Sequence, residues 1–322
     1  MKTWKLEVGS WELGVGSWEL SRAPLAFLVA LACLGAQSRS AAIDEPTAAT
    51  LEYVTEDTSM VAYANVRVLM ASPLRDRVRE LGAAHAVIAT LQEWTGASLE
   101  RDIDDIVFTA DTTILTGRFD LRRLEAYARD HGGRIELYAG ARIVSAPRPA
   151  GDAAIVLPAP GLALVGDVLS VRRALDAKAG AVRAITDNVG FMRTVAGLDD
   201  RAAWSVATLQ AVIARAAIPA DVAAQLPAID WLAASSRFGP TARGELSAQA
   251  RDEIAAGSLR DLVRGFMALA RMQAARNREL RGALASATLA GDGTTVTLSF
   301  DVTPGLLDLF DSTGAWRLVL PH

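Results

Sequence analysis

From Leu51 onward the chain alternates between two hydrophobic periods, and their order restricts the fold more than any single motif does. SMVAYANV (59–66) is β-rich. It feeds RVLMASPLRDRVRELG, where Leu74, Val78 and Leu81 recur at helical spacing before Gly82. A second helical stretch through Val87, Leu91 and Trp94 stops at Gly96, and DIDDIVFTA with TTILTGRF then reads as a strand pair. Asp120 is placed to cap the next helix, whose face carries Leu121, Leu124 and Tyr127 or Ala128 and which ends at HGG, 131–133. IELYA and ARIVSA flank Gly140 as a further strand pair, followed by AAIVLP, LALVG and the helix VRRALDAKAG.

The same order recurs from residue 202. AAWSVATL is a strand, a helix runs to about Ala217, and IDWLAASSRFG precedes the strand ARGELSAQAR. A long helix, SLRDLVRGFMALARMQAARNRELRGAL, aligns Leu259, Leu262, Val263, Phe266, Leu269 and Ala270 in one stripe. ASATLAGDGTTVTLSFDV closes the series as a hairpin around Gly291, Asp292 and Gly293. The expected class is therefore α+β: two diverged repeats of strand, helix, strand pair, helix, strand pair, with mainly antiparallel sheets and helices packed on one face. The boundaries read as 1–42 for the leader, 43–50 for a linker, 51–180 and 181–310 for the repeats, and 311–322 for a C-terminal tail. Phe266, central in the stripe, reads as a core position where an aspartate would unfold the chain.

The leader has two parts. LEVGSWELGVGSWEL (6–20) says VGSWEL twice at a seven-residue period, with Glu7, Glu12 and Glu19 and no basic residue. Two heptads with Gly and Ser in each are too few for a coiled coil, and the acidity does not suit a targeting segment. The repeat is read as a translated tandem DNA repeat upstream of a later start near Val15 or Leu20, or else as a disordered extension. SRAPLAFLVALACLGAQSRSAA then has the order of a secretory signal: one arginine, an apolar run from Ala23 to Ala36, and small polar residues. That run is shorter than the roughly 20 residues a membrane-spanning helix needs, which leaves a retained anchor as the lesser reading. Cleavage is placed after Ala36 or Ala42. Cys33, the sole cysteine, follows Ala30, Leu31 and Ala32, so it is a candidate lipidation site whose leucine sits one place late; otherwise it leaves with the signal.

Composition removes several functions. With 33 basic and 37 acidic residues the formal charge is −4, giving no excess for nucleic acid. A body without cysteine has no disulfide and no thiolate-ligated zinc. Only His85, His131 and His322 could serve as an imidazole base, and no G-x-S-x-G occurs. Both body histidines read as helix-end residues. Asp102, Asp104 and Asp105 form the tightest acidic cluster but lack a calcium loop's spacing. Asp199 and Asp200 read as a turn, and the only G-x-G, Gly14 and Gly16, lies in the leader repeat. Of the body tryptophans, Trp94, Trp204 and Trp231 read as core; Trp316 stands outside the apolar elements.

SMVAYANVRVLMASPLRDRV, LERDIDDIVF, TGRFDLRRLEAYARDHGG, LALVGDVLSVRRALDAKAG, AWSVA, LRDLVRGFMALARMQAARN and VTLSFDVTPGLL together resemble exported bacterial proteins of unknown function, often found in Acidobacteria and related groups. The resemblance covers about residues 51–310. It implies a two-repeat α+β body behind a signal peptide or lipoprotein signal, with no catalytic residues to carry over.

The functional expectation is an exported protein of the periplasm or cell envelope, non-enzymatic, binding an envelope protein or ligand through its sheet surface or the groove between repeats. No catalytic residue, cofactor or metal ligand is assigned, no nucleic acid is expected, and contact with the membrane is through the signal peptide or a lipid anchor. The alternatives are a lipid-anchored carrier of apolar ligands and, less favoured, an envelope enzyme with a dispersed acid-base site around Asp102 to Asp105.

Overall fold

A computed structural model describes residues 45–72, 75–76, 79–80, 85–148, 152–198, 201–216, 218–238, 242–274, 277–303 and 306. The leader with Cys33, the helical positions Leu74, Val78 and Leu81, the pair Asp199 and Asp200, and the tail with Trp316 and His322 lie outside the described residues.

Alternating residues in the central strands face two different apolar layers, and this explains their near-continuous hydrophobicity. The strands are β1 (Met60–Asn65), β2 (Ile103–Phe108), β3 (Thr112–Gly117), β4 (Arg134–Tyr138), β5 (Ala141–Ala146), β6 (Ala153–Ala159), β7 (Leu162–Gly166), β8 (Ala203–Ala207), β9 (Ile229–Phe238), β10 (Ala242–Ala250), β11 (Thr288–Ala290) and β12 (Thr295–Val302). They form one antiparallel sheet in the order β11-β12-β10-β9-β8-β1-β2-β3-β7-β6-β5-β4. Val107, Ile114, Ile143, Val156 and Leu164 pack against α6 (Val168–Lys178) and α7 (Val189–Ala196). Their neighbours Ile106, Leu115, Val144, Ile155 and Val165 pack against α3 (Ala86–Thr95) and α5 (Leu121–Asp130) on the other side.

Local chemistry places the helix ends. Asp120 accepts the Arg122 and Arg123 amides to start α5, and Gly96, at φ 73, closes α3 in the left-handed region open to glycine. Helices α2 (Val66–Met70) and α8 (Leu209–Arg215) fall where the sequence places helices, and short segments of little apolar periodicity also turn helical: α1 (Glu45–Leu51), α4 (Leu99–Asp102) and α9 (Ala220–Ala223), with a 3₁₀ turn at Ile185–Asp187. The eight residues of α7 lie in a stretch that the periodicity leaves unassigned. Asn188 starts this helix by accepting the Phe191 amide at 3.0 Å, and burial of Phe191 and Val195 fixes it.

The long helix differs from its sequence reading in both bounds. Asp252 accepts the Ala255 amide at 2.7 Å, so α10 begins earlier and spans Glu253–Gln273. Asn277, with extended backbone, accepts the Leu280 amide at 3.0 Å and starts a separate helix, α11 (Arg278–Ser286). A capping side chain in mid-pattern ends one helix and opens another, which apolar spacing alone does not reveal.

Outward from the β1·β8 pair, where Ala62 faces Ser205, the strand orders are β1-β2-β3-β7-β6 and β8-β9-β10-β12-β11. The first half continues with β5 and the edge strand β4. Helix coverage also differs between the halves. On β10 and β12, Ala248 and Val296 pack under Ala256 and Leu259 of α10. Across the sheet from them, Ser247 is paired with Thr297 and Glu245 with Ser299, a polar face. The expected single helical face thus describes these outer strands, while the central strands of the first half carry a layer on each side.

Candidate functional site

Three places gather side chains that the sequence reading singled out or that the fold newly assembles. The first is the acidic cluster. Asp102, the last residue of α4, accepts the Ser98 amide at 2.9 Å and pairs with Arg118. Asp104, already within β2, pairs with Arg67 at 2.6 Å. Asp105 accepts from the Tyr63 hydroxyl at 2.7 Å, from Asn65 Nδ2 at 2.9 Å and from the Thr116 hydroxyl at 2.9 Å. The three carboxylates therefore have three separate sets of donors, and Asp105 ties β1, β2 and β3 together. Among the described residues no group of three or more His, Cys, Asp or Glu gathers as a metal site.

The histidines sit at helix ends. His131 follows α5, with Nδ1 2.9 Å from the Tyr127 carbonyl and its ring stacked on Tyr127 at 3.9 Å. His85 precedes α3 and packs on Phe108 at 5.2 Å. Two of the three described tryptophans are core residues, Trp94 fully enclosed and stacked on Tyr127 and Trp204 stacked on Tyr63; Trp231 is partly buried and packs edge-on against Phe191 at the margin of the core.

The second place is a shallow, solvent-open cleft where the loop before β1, the β2–β3 turn and the start of α6 converge. Thr55, Thr58, Thr109, Thr112, Ser170 and Arg173 line it. These hydroxyls come from three segments distant in sequence, so no local pattern announces them. Much of their hydrogen-bonding capacity is used internally. Thr55 donates to Asp57 at 2.6 Å, Arg173 donates to Asp57 at 2.8 Å, and Thr109 donates to the Thr112 carbonyl at 2.9 Å. The Thr55 hydroxyl and then the Arg173 guanidinium hold the Asp57 carboxyl below its ordinary range. Asp57 in turn raises the Arg173 pKa, chiefly through the hydrogen bond.

The third place is α10. Its inward residues are Ala256, Leu259, Ala270 and Ala274, the last two meeting Leu284 of α11. Phe266 does not belong to them: it is 47 % exposed, with Leu269 at 52 % and Met272 at 69 %. At about 100° per residue, the apolar arc of α10 is roughly 200° wide, about twice what one buried face needs. The inner part meets the sheet and α11; the outer part, with Phe266, Leu269 and Met272, remains on the surface. Small residues at Ala256, Ala270 and Ala274 draw the helix close on one side, and the large side chains are turned away. The expectation that Phe266 lies in the core is thereby overturned. The width of the arc was the signal available in the sequence.

Arg264, Arg271, Arg278 and Arg281 are exposed on α10 and α11, and Arg264 is paired with Asp261 at 2.9 Å.

No family model and no curated protein matches the sequence. Solved structures do. Crystal forms III and IV of TP0453 match at TM-scores of 0.49 and 0.48, with 11 % and 10 % identity, covering 82 % of this chain and 98 % and 96 % of those chains. Crystal form I of the same protein matches at 0.42 with 10 % identity.

Among the described residues no helix is long and apolar enough to cross a membrane.

Proposed function

We propose that this chain is an exported, non-enzymatic binding protein whose working surface is the exposed side of α10. Phe266, Leu269 and Met272 side by side in water carry the proposal. A contiguous exposed surface of large apolar side chains is a usual form of a protein docking site. The complementary partner is an envelope protein offering an apolar segment. Export rests on the signal-like order of residues 21–42. Against an enzyme stand the separate tethering of Asp102, Asp104 and Asp105 and the helix-end positions of the histidines. Against a carrier of apolar ligands stands the character of the cleft, which is lined mainly by hydroxyl and charged groups. Five strands outward from β1 and from β8 share one order, with β7 and β6 in the places of β12 and β11, and this supports an internal duplication; β5 and β4, which the sequence reading set opposite the closing hairpin, extend the first half alone.

The test is photo-crosslinking from position 269 in cells that produce the protein, followed by binding of the recovered partner to the purified chain. The expected result is a discrete protein adduct whose purified partner binds at least tenfold more weakly to Phe266→Ser and to Met272→Ser. Absence of a protein adduct, together with co-flotation on phosphatidylglycerol vesicles that depends on Phe266, would replace the protein partner with a membrane surface. A partner that binds both variants normally would move the docking site away from α10.

A further inference from the structure

Independently of α10, we infer that β4 is a docking edge for a second copy of this chain, which pairs with it antiparallel about a two-fold axis at Ile135. β4 (Arg134–Tyr138) is the outermost strand of the sheet, with β5 on one side and no strand on the other among the described residues. The hairpin to β5 turns in two residues, Ala139 at φ 47 and Gly140 at φ 80, with Tyr138 opposite Ala141. A two-residue hairpin hydrogen-bonds the pair that flanks its turn. Counting back in twos, Tyr138, Glu136 and Arg134 direct their backbone groups at β5, and Ile135 and Leu137 direct theirs away from the sheet. Gly133, next in the outward series, agrees: its amide donates to the Ala128 carbonyl at 2.7 Å.

The side chains alternate in the same way. Glu136 lies opposite Ile143 on the α6 side, where Arg172 donates to both of its carboxylate oxygens at 2.8 and 2.7 Å. Ile135 lies opposite Val144 on the α5 side, and Ile135 and Leu137 stand in water at 42 % and 75 % exposure. Natural sheets keep an edge single with prolines, bulges or charges, lysine above all. β4 has no proline and pairs with β5 without a bulge, and its two charges, Arg134 and Glu136, are of opposite sign.

That pair of charges selects the occupant and the register. Outward groups meet outward groups when Ile135 faces Ile135, Ile135 faces Leu137, or Leu137 faces Leu137 of the second copy. The first register sets Arg134 opposite Glu136 twice, at the positions where cross-strand side chains come closest. The second sets Glu136 against its own copy, and the third leaves Arg134 opposite Gly140. In the first register Leu137 is also diagonal to Ile135 of the second copy, so both residues of both copies join in one apolar cluster on the α5 side. β4 lies at the far end of the sheet from β10 and β12, on which α10 packs. The dimer therefore carries two α10 surfaces, and a partner with repeated binding segments gains avidity.

The strand is short, which places the contact in the small, transient class. Sedimentation of the full chain carrying Cys33→Ser, from about 1 μM to about 1 mM, covers the range in which such contacts dissociate. The expected result is a monomer passing to a dimer, with hydrogen exchange of the Ile135 and Leu137 amides slowing several-fold as the dimer fills. Ile135→Pro removes an outward N–H that β5 does not use, and Arg134→Glu sets like charges opposite each other. Each is expected to weaken dimerisation at least tenfold without changing the melting curve. Under mild oxidation Ile135→Cys is expected to form a disulfide dimer, its Cα atoms about 5.5 Å apart, while Leu137→Cys stays reduced. A monomer at every concentration, or a dimer that survives both Ile135→Pro and Arg134→Glu, would overturn the inference. So would slow exchange of both amides in the monomer, which would give the edge to another segment of the chain, or a disulfide that forms at position 137 as readily as at 135. If Ile135→Pro unfolds the protein, Arg134→Glu and the two cysteine variants decide.

Discussion

Arg201 Nη2 lies 3.1 Å from Glu245 Oε2, joining the entry to β8 with β10 across the intervening β9. The guanidinium is almost wholly enclosed, whereas the carboxylate reaches partly to water. Removing one partner of an enclosed pair leaves a charge without its counter-ion in a medium that solvates it poorly, at a cost of about 3–5 kcal/mol. Because Glu245 is partly solvated, the expected loss for Glu245→Ala is about 2–4 kcal/mol in urea unfolding. A loss below about 1 kcal/mol would mean that other contacts of Arg201 hold it in place.

Phe266→Asp is expected to leave stability within about 1 kcal/mol of the parent, since substitutions at exposed positions cost little. The side chain stands half in solvent on the outer side of α10. Thermal unfolding followed by circular dichroism decides this, and a collapse of the cooperative transition would return Phe266 to the core.

The Asp57 carboxyl titrates below the ordinary carboxylate range because Thr55 and Arg173 hydrogen-bond its charged form. A group with a depressed folded-state pKa contributes stability above its unfolded value, near 3.9, and that contribution is lost as pH falls through the folded value. Asp57→Asn should therefore be less stable than the parent at neutral pH, with the difference fading in acid. A carboxyl NMR titration of Asp57 with a midpoint at or above the ordinary value would contradict the assignment.

The mature protein is expected to begin between Cys33 and Ile43, after an apolar run sized for a signal and ending in small residues. N-terminal sequencing of protein taken from the envelope is the measurement. Recovery of VGSWEL on the mature chain would defeat both export and the late start.

Much of the fold was legible because its signals are local. Asp120 before α5, Gly96 after α3, the turn at Gly140 and the hairpin around Gly291 to Gly293 are features of neighbouring residues, and the structure has elements at each. The break between α10 and α11 was equally local, in the capping side chain of Asn277, but was hidden inside a continuous apolar pattern.

The sequence by itself determined the α+β class, the order of the strands and the presence of amphipathic helix within 258–284, because period and capping depend on residues a few places apart. Only the tertiary structure decided that twelve strands join in one sheet through β1 and β8, and that Asp105 is a tie between three strands. It also decided that hydroxyls from three segments form the cleft and that Phe266 faces outward. The last point shows the physical reason. A periodic apolar arc states that a helix has something to bury, but which part of the arc meets the sheet depends on how closely the alanines at 256, 270 and 274 let it approach. That distance is set by the partner surface, which the helix's own sequence does not contain.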